Sequence, residues 1–143
     1  MSLTLPALPY AVDALEPHLS ARTLLVHHAR HHAGYVDKVR SLVGRTPLEL
    51  ASLDEIVLSG AAQKNSALFN AAAQAWNHAF YWRSMRAAGG GEAHGALAQR
   101  IAAQFGSQKN FRQEFASAAV NQFGSGSLER EPPARGVRLS ASS

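Results

Sequence analysis

The sequence predicts an all-α protein: a long antiparallel helical hairpin followed by two further helices. Three observations carry this expectation. Alanine is abundant while Val, Ile and Thr are sparse, a balance that favours helix over sheet. Apolar residues recur at helical spacing through four segments, and no segment reads as a strand. Glycines and prolines punctuate the boundaries between the segments.

Residues 1–19 read as an irregular arm, because Pro6, Pro9 and Pro17 forbid a continuous helix. Ser20 is the expected N-cap of a first long helix reaching to about Val43. Leu24, His27, His28, His31, Tyr35, Val39 and Leu42 share one broad face of it, and Gly44 is placed to end it, with Pro47 beyond. Ser52-Leu-Asp-Glu55 has capping-box spacing and predicts a short helix to about Leu58, closed by Gly60. A second long helix is expected from about Asn65 to Arg86, ended by Gly89, Gly90 and Gly91. The simplest arrangement pairs the two long helices antiparallel. Further on, Leu97, Ile101 and Phe105 mark a helix over His94–Phe105. Ser107 caps the next, about Gln108 to Gln122, with Phe111, Phe115 and Ala119 on one face and Gly124 and Gly126 as its stop. From Ser127 onward there is no aromatic residue and two prolines are adjacent, so a disordered or loosely held tail is expected.

At 143 residues, 46% hydrophobic and 17% charged, the chain has the composition of a globular domain. Its net charge is +4, but the basic residues are scattered singly, which points to a solvated surface and no nucleic-acid partner. Without cysteine, disulfides, thiolate metal sites and cysteine nucleophiles are excluded. The N-terminus shows no basic region leading into an apolar core, so no signal peptide is read there. The longest uncharged run, Asn65 to Trp82, contains Asn, Gln and His, so no membrane span is expected and a cytoplasmic location is the default.

The most informative stretch is Asn70 to Trp82. Phe69, Ala73, Trp76 and Phe80 form an apolar stripe, while Asn70, Gln74 and His78 share a second face. Buried Gln and His side chains must find hydrogen-bond partners or coordinate something. Upstream lies a second histidine-rich stretch, His27-His28-Ala-Arg-His31-His32-Ala-Gly-Tyr35. Spacing alone leaves several readings open. His27 with His31, and His28 with His32, are i, i+4 pairs of the kind that chelate zinc, and the same residues also serve as satisfied core groups.

Four motifs in order resemble the iron/manganese superoxide dismutase family: Leu5-Pro6-Ala7-Leu8-Pro9-Tyr10, the His-His-x-x-His-His-x-x-Tyr pattern, Gln74-x-Trp76-Asn77-His78-x-Phe80-Tyr81-Trp82, and Phe123-Gly124-Ser125-Gly126. The resemblance runs over residues 3–126 and implies disproportionation of superoxide to oxygen and hydrogen peroxide. It makes His27 and His78 ligands of one metal ion per subunit, iron or alternatively manganese. His31 and Tyr35 then resemble the proton-passing pair near the substrate entrance, and Gln74 the residue that hydrogen-bonds metal-bound solvent. Gln74 in this helix is the iron-type pattern. Tyr81 and Trp82 resemble the aromatic wall of the site. His18, His28, His32 and His94 are assigned structural or exposed positions. The implied partners are the superoxide anion, which a mildly positive chain attracts, and a second copy of the chain in a homo-oligomer.

The resemblance stops after Gly126. No aspartate follows Asp54 and no histidine follows His94, so the family's remaining Asp and His ligands, carried on a C-terminal α/β sheet domain, have no counterpart in this sequence. The reading is therefore a chain truncated or frameshifted after Gly126, with impaired turnover; the alternatives are a non-catalytic helical remnant that self-associates or pairs with full-length relatives, and a weak two-histidine metal binder. Its expected parts are a helical hairpin over 1–88, the helical start of a C-terminal domain over 89–126, and an unrelated tail over 127–143.

Overall fold

The computed structural model of the chain describes residues 3–121, 127–131 and 138–142. It divides into two compact units, Met1–Gly89 and Gly90–Ser143. In the first, α1 (Ala21–Val26), a π-helical turn (His27–His32) and α2 (Ala33–Val43) form one continuous rod, followed by α3 (Leu53–Ala62) and α4 (Ser66–Arg83). The second unit contains α5 (Gly95–Phe105), α6 (Gln108–Asn121) and the strands β1 (Ser127–Glu131) and β2 (Arg138–Ser142).

Helix starts follow local chemistry. The Ser20 hydroxyl accepts the Thr23 N–H, Asn65 accepts that of Leu68, and Ser52 and Glu55 form a complete capping box that leads α3. The Ser107 hydroxyl accepts the Asn110 N–H at the head of α6. Gly44 caps α2 as expected, but in an extended conformation. The left-handed residue is Arg45, whose φ is 61°.

The π turn is the main departure within the first helix. It inserts an extra residue into the turn, and each residue of helix advances the side-chain direction by about 100°. A single α-register therefore cannot describe both halves of the rod. The face read from the sequence ran through Tyr35, Val39 and Leu42. The buried positions are Val36, Val39 and Val43, with Tyr35 and Leu42 half-buried at the edge of the core.

The apolar stripe of α4 is displaced in the same sense. Phe69 and Phe80 are 38% and 47% exposed, and Trp76, stacked on Phe80, donates its indole N–H to Asp54 of α3 at 2.8 Å. Asn70 is also exposed. The core face is instead Leu68, Ala71, Ala72, Ala75, His78 and Trp82. Three alanines there let α4 lie close against Val36, Val39 and Val43 of α2. Large aromatics dominate a hydrophobicity reading, yet close helix contact needs small side chains.

Gly60 was read as a helix terminator, but it lies inside α3 and is buried. A Cβ at this position would fall 2.8 Å from the Phe69 nitrogen and 2.9 Å from its Cα, so glycine allows the start of α4 to pack directly on α3.

The N-terminal arm is held to the rod by hydrogen bonds. His28 Nε2 donates to the Pro6 carbonyl at 2.8 Å and Arg40 Nε to that of Leu3 at 2.6 Å. A second core cluster joins Leu15 of the arm to Leu24 and Trp82. Between α1–α2 and α4 sits His32, 1% exposed. Its Nε2–H donates to the Ala75 carbonyl at 3.0 Å, and its Nδ1 accepts the Trp82 indole N–H at 3.0 Å. Both ring nitrogens are thus satisfied only in the neutral form. Burial, reinforced by the neighbouring His78, lowers its pKa to about 4.

In the second unit Ile101 is buried, Phe105 rests on Phe111 with ring centroids 5.1 Å apart, and the Gln108 side chain bonds both the N–H and the carbonyl of Ala93. The expected stop at Gly124 and Gly126 lies outside the described residues. The tail expectation is corrected for residues 127–131 and 138–142, which pair antiparallel with Ser127 opposite Ser142 and Glu131 opposite Arg138. Main-chain pairing between strands needs no hydrophobic core. Apart from this hairpin the described chain is helical, and the family's larger sheet is not seen among the described residues. No described helix is long and apolar enough to cross a membrane.

Two measurements check this packing. Gly60→Ala gains about 1 kcal/mol of helix propensity but forces the added carbon onto main-chain atoms, a cost of about 1–3 kcal/mol. Urea unfolding of the variant should therefore show a net loss of stability, and a gain would contradict the close approach. For His32 the unfolded ring takes up a proton near pH 6.5 while the folded ring does so only near pH 4. Stability of the metal-free chain should fall as pH drops from about 6.5 to 4, by about 3 kcal/mol from this residue, and show no further loss from it below that. His32→Gln, which cannot titrate, should flatten that part of the stability profile.

Candidate metal centre

The π turn carries four histidines within six residues, and its geometry divides them into two pairs. His28 and His32 tie the rod to the arm and to α4. His27 and His31 lie one turn apart on the side facing His78 of α4. One ligating nitrogen from each of His27, His31 and His78 can be chosen so that all three lie within 4.8 Å of one another.

His78 is the anchor of the cluster. It is buried, and its Nδ1–H donates to the Gln74 carbonyl one turn back at 2.6 Å. That bond fixes the tautomer and leaves the Nε2 lone pair directed away from the helix. The Nε2 of His27 lies 3.1 Å from it, with the two rings at 87°. Two imidazole nitrogens each about 2.1 Å from a common ion, and at right angles about it, stand about 3 Å apart, so the pair fits adjacent positions on one metal. His32 stacks beneath His78 at 5.3 Å with an interplanar angle of 18° and limits its rotation.

The electrostatics favour neutral bases. Burial lowers the pKa of His27, and the adjacent His78 and His31 add to this. Burial also lowers that of His78 against the opposing Gln74 hydrogen bond, with His31 contributing. At neutral pH both rings therefore present lone pairs, which a cation needs.

The remaining residues singled out by sequence surround this trio to different extents. The Tyr35 ring lies 5.1 Å from His31 and 5.5 Å from His78. Gln74 is buried and touches the cluster through its main-chain carbonyl. Tyr81 is 37% exposed, with its ring 5.7 Å from His27. Trp82 is fully buried 4.9 Å from His27, on the core side, where its indole N–H is committed to His32. On the outer side an open groove of about 520 Å³ is lined by Arg22, Thr23, Val26, His27 and His31. Sequence reasoning did not single out Arg22 or the structural tie made by His32. The first has no motif around it, and the second depends on which way the π turn rotates the ring.

Residues 2–86 match the family described as iron/manganese superoxide dismutases, alpha-hairpin domain, and residues 93–128 match the C-terminal domain of the same family. The chain is 49% identical over 126 residues to an iron superoxide dismutase of Salmonella typhimurium, 48% to one of Escherichia coli K12 and 47% to one of Plasmodium malariae. Each alignment covers 88% of this chain and 62–63% of the relative, so the chain spans about three-fifths of the length of the curated relatives it matches. The helical hairpin, the facing histidines and these matches together make the chain a member of the iron/manganese superoxide dismutase family.

Proposed function

We propose that the chain carries the helical half of a superoxide dismutase site, in which His27 and His78 hold a single iron ion, with manganese the alternative. The observation that carries this reading is the 3.1 Å approach of the two Nε2 atoms, with His78 oriented by the Gln74 carbonyl. The names of the relatives, iron superoxide dismutases, favour iron. A bound iron ion supplies one-electron chemistry: one superoxide is oxidised to oxygen, and a second is reduced and takes two protons to become hydrogen peroxide.

The chain's own residues bind, orient and supply protons. His31 and Tyr35, adjacent to each other and to His78, are the groups that pass protons to the reduced product. The Gln74 side-chain amide is assigned to solvent at the ion, and Tyr81 and Trp82 to the wall that limits access of water. Arg22 at the groove provides a cation where a small anion approaches.

Within these 143 residues the hairpin contributes imidazole ligands and no carboxylate to the site. Two imidazoles leave several positions to water and do not by themselves set a redox potential suited to both half-reactions. We therefore expect low superoxide turnover from this chain alone. Association with a second chain is the other part of the reading, supported by exposed Leu25, Val26, Leu58, Phe69 and Phe80 on the first unit.

The test is tightly bound iron per chain after reconstitution and gel filtration, read together with superoxide turnover and sedimentation mass. The reading expects iron to be retained, with His27→Ala and His78→Ala each weakening it by about 100-fold or more, beyond the cost of losing a supporting hydrogen bond. Iron retention that is indifferent to both substitutions would contradict it. The lowered pKa values of His27 and His78 also give a sign: binding should persist as pH falls through 6.5 and be lost only below it, where the imidazoles protonate.

A further inference from the structure

We propose that residues 3–10 are an exchangeable strap: they occupy a groove on the helical hairpin that also accepts the same segment from a second copy of the chain. This deepens the association part of the reading above, through a different surface, and is independent of bound metal.

The segment is held in the way a peptide ligand is held. Leu3, Leu5, Leu8 and Tyr10 are half-buried, while Thr4, Pro6, Ala7 and Pro9 are exposed. Leu3 and Leu5 pack on the first core cluster, and Leu8 and Tyr10 on the second. Among the described residues, no main-chain hydrogen bond ties residues 3–10 to the rest of the chain. Side chains of the rod hold them instead, Arg40 at the Leu3 carbonyl and His28 at that of Pro6. The earlier arm residue is tied to the later rod residue, so the strap runs antiparallel to the rod. Pro6 and Pro9 restrict the backbone to extended conformations before it is seated, which lowers the ordering cost whichever copy supplies the segment.

The seat is loosely held. None of residues 3–10 is fully buried, and the exposed residues Ala11, Val12 and Asp13 separate them from the buried Leu15. Local hydrogen bonds, such as Ala14 N–H to the Ala11 carbonyl and Leu19 N–H to that of Leu15, hold the following turn without help from the strap. The Tyr10 hydroxyl is buried and has no hydrogen-bond partner among the described residues, and burial raises its pKa, with Tyr81 adding to this. A desolvated hydroxyl left unpaired opposes seating. The strap of a second copy meets the same groove and remakes every one of these contacts, so exchange costs little beyond bringing two chains together.

The experiment pairs full-length, metal-free chains that complement each other. Leu5→Asp unseats the strap and leaves the groove intact. Leu3→Asp is a second variant of the same kind, and both are checked for folding by circular dichroism. Arg40→Glu keeps the strap but replaces the donor at the Leu3 carbonyl with a repelling carboxylate. With Leu5→Asp and Arg40→Glu mixed at about 100 μM each, sedimentation should show a mixed dimer well beyond the self-association of either variant alone. A labelled synthetic peptide of residues 3–12 should bind Leu5→Asp and not the parent chain, whose own strap fills the groove. Tyr10→Phe in that peptide should tighten binding by about 5-fold or more, because the unpaired hydroxyl is gone. No mixed dimer, a peptide that binds parent and variant alike, or no gain from Tyr10→Phe would each overturn the proposal. Equal association of each variant alone and of the mixture would overturn it too, while leaving association through the exposed apolar residues intact. A mixed dimer from chains that retain no iron would support this inference and remove the metal reading.

Discussion

The buried ring of His32 is the contact on which the arrangement depends. It donates to Ala75 and accepts from Trp82, both on α4, so it fixes the rotation of the π turn against the helix that carries His78. His27 and His31, five and one residues earlier respectively, are then carried to the outer side, facing His78. The tie holds only while His32 is neutral, and burial enforces that form. A lysine or a carboxylate could not serve, because neither offers one donor and one acceptor on opposite sides of a rigid ring.

The alanine face of α4 is the second requirement. Ala71, Ala72 and Ala75 meet Val36, Val39 and Val43 with little side-chain thickness between the helix axes. Only a close approach brings an imidazole on each helix to within hydrogen-bond distance of the other. Gly60 extends the same principle to the α3–α4 corner, where main chain packs on main chain. The larger aromatics, Phe69, Trp76 and Phe80, are displaced to the opposite side of α4, where Trp76 is partnered by Asp54 and the two phenylalanines remain exposed.

The resulting centre is a concentration of bases in a partly dry setting. Three imidazoles face one another, and burial, with repulsion between neighbouring rings, disfavours the protonated forms of His27 and His78. Such a cluster gains from any divalent ion that replaces repulsion with coordination. Which ion gains most depends on whether a carboxylate joins the set, because that decides charge balance and geometry.

Much of this was legible in the residues. Helix starts at Ser20, Ser52 and Ser107 follow from local hydrogen-bonding chemistry that acts over three residues and needs no tertiary context. The helical class, the approximate spans, the pairing of His27 with His78 and the family follow from periodicity and from four ordered motifs. The core face of α4 was not legible, since a stripe of aromatics outweighs three alanines in hydrophobicity although the alanines are what the neighbouring helix can accept. Nor was the π turn, because one extra residue in a helix leaves composition and spacing unchanged while rotating everything after it. Gly60 carried the same ambiguity, as a glycine that ends a helix and one that lets another backbone approach look alike in sequence. The sequence by itself determined which side chains are available and roughly where the helices lie. Only the tertiary structure decided how the rings are partnered, His32 between Ala75 and Trp82 and His27 and His31 towards His78, because that depends on how far each ring is rotated when two helices pack, a global quantity that no local spacing encodes.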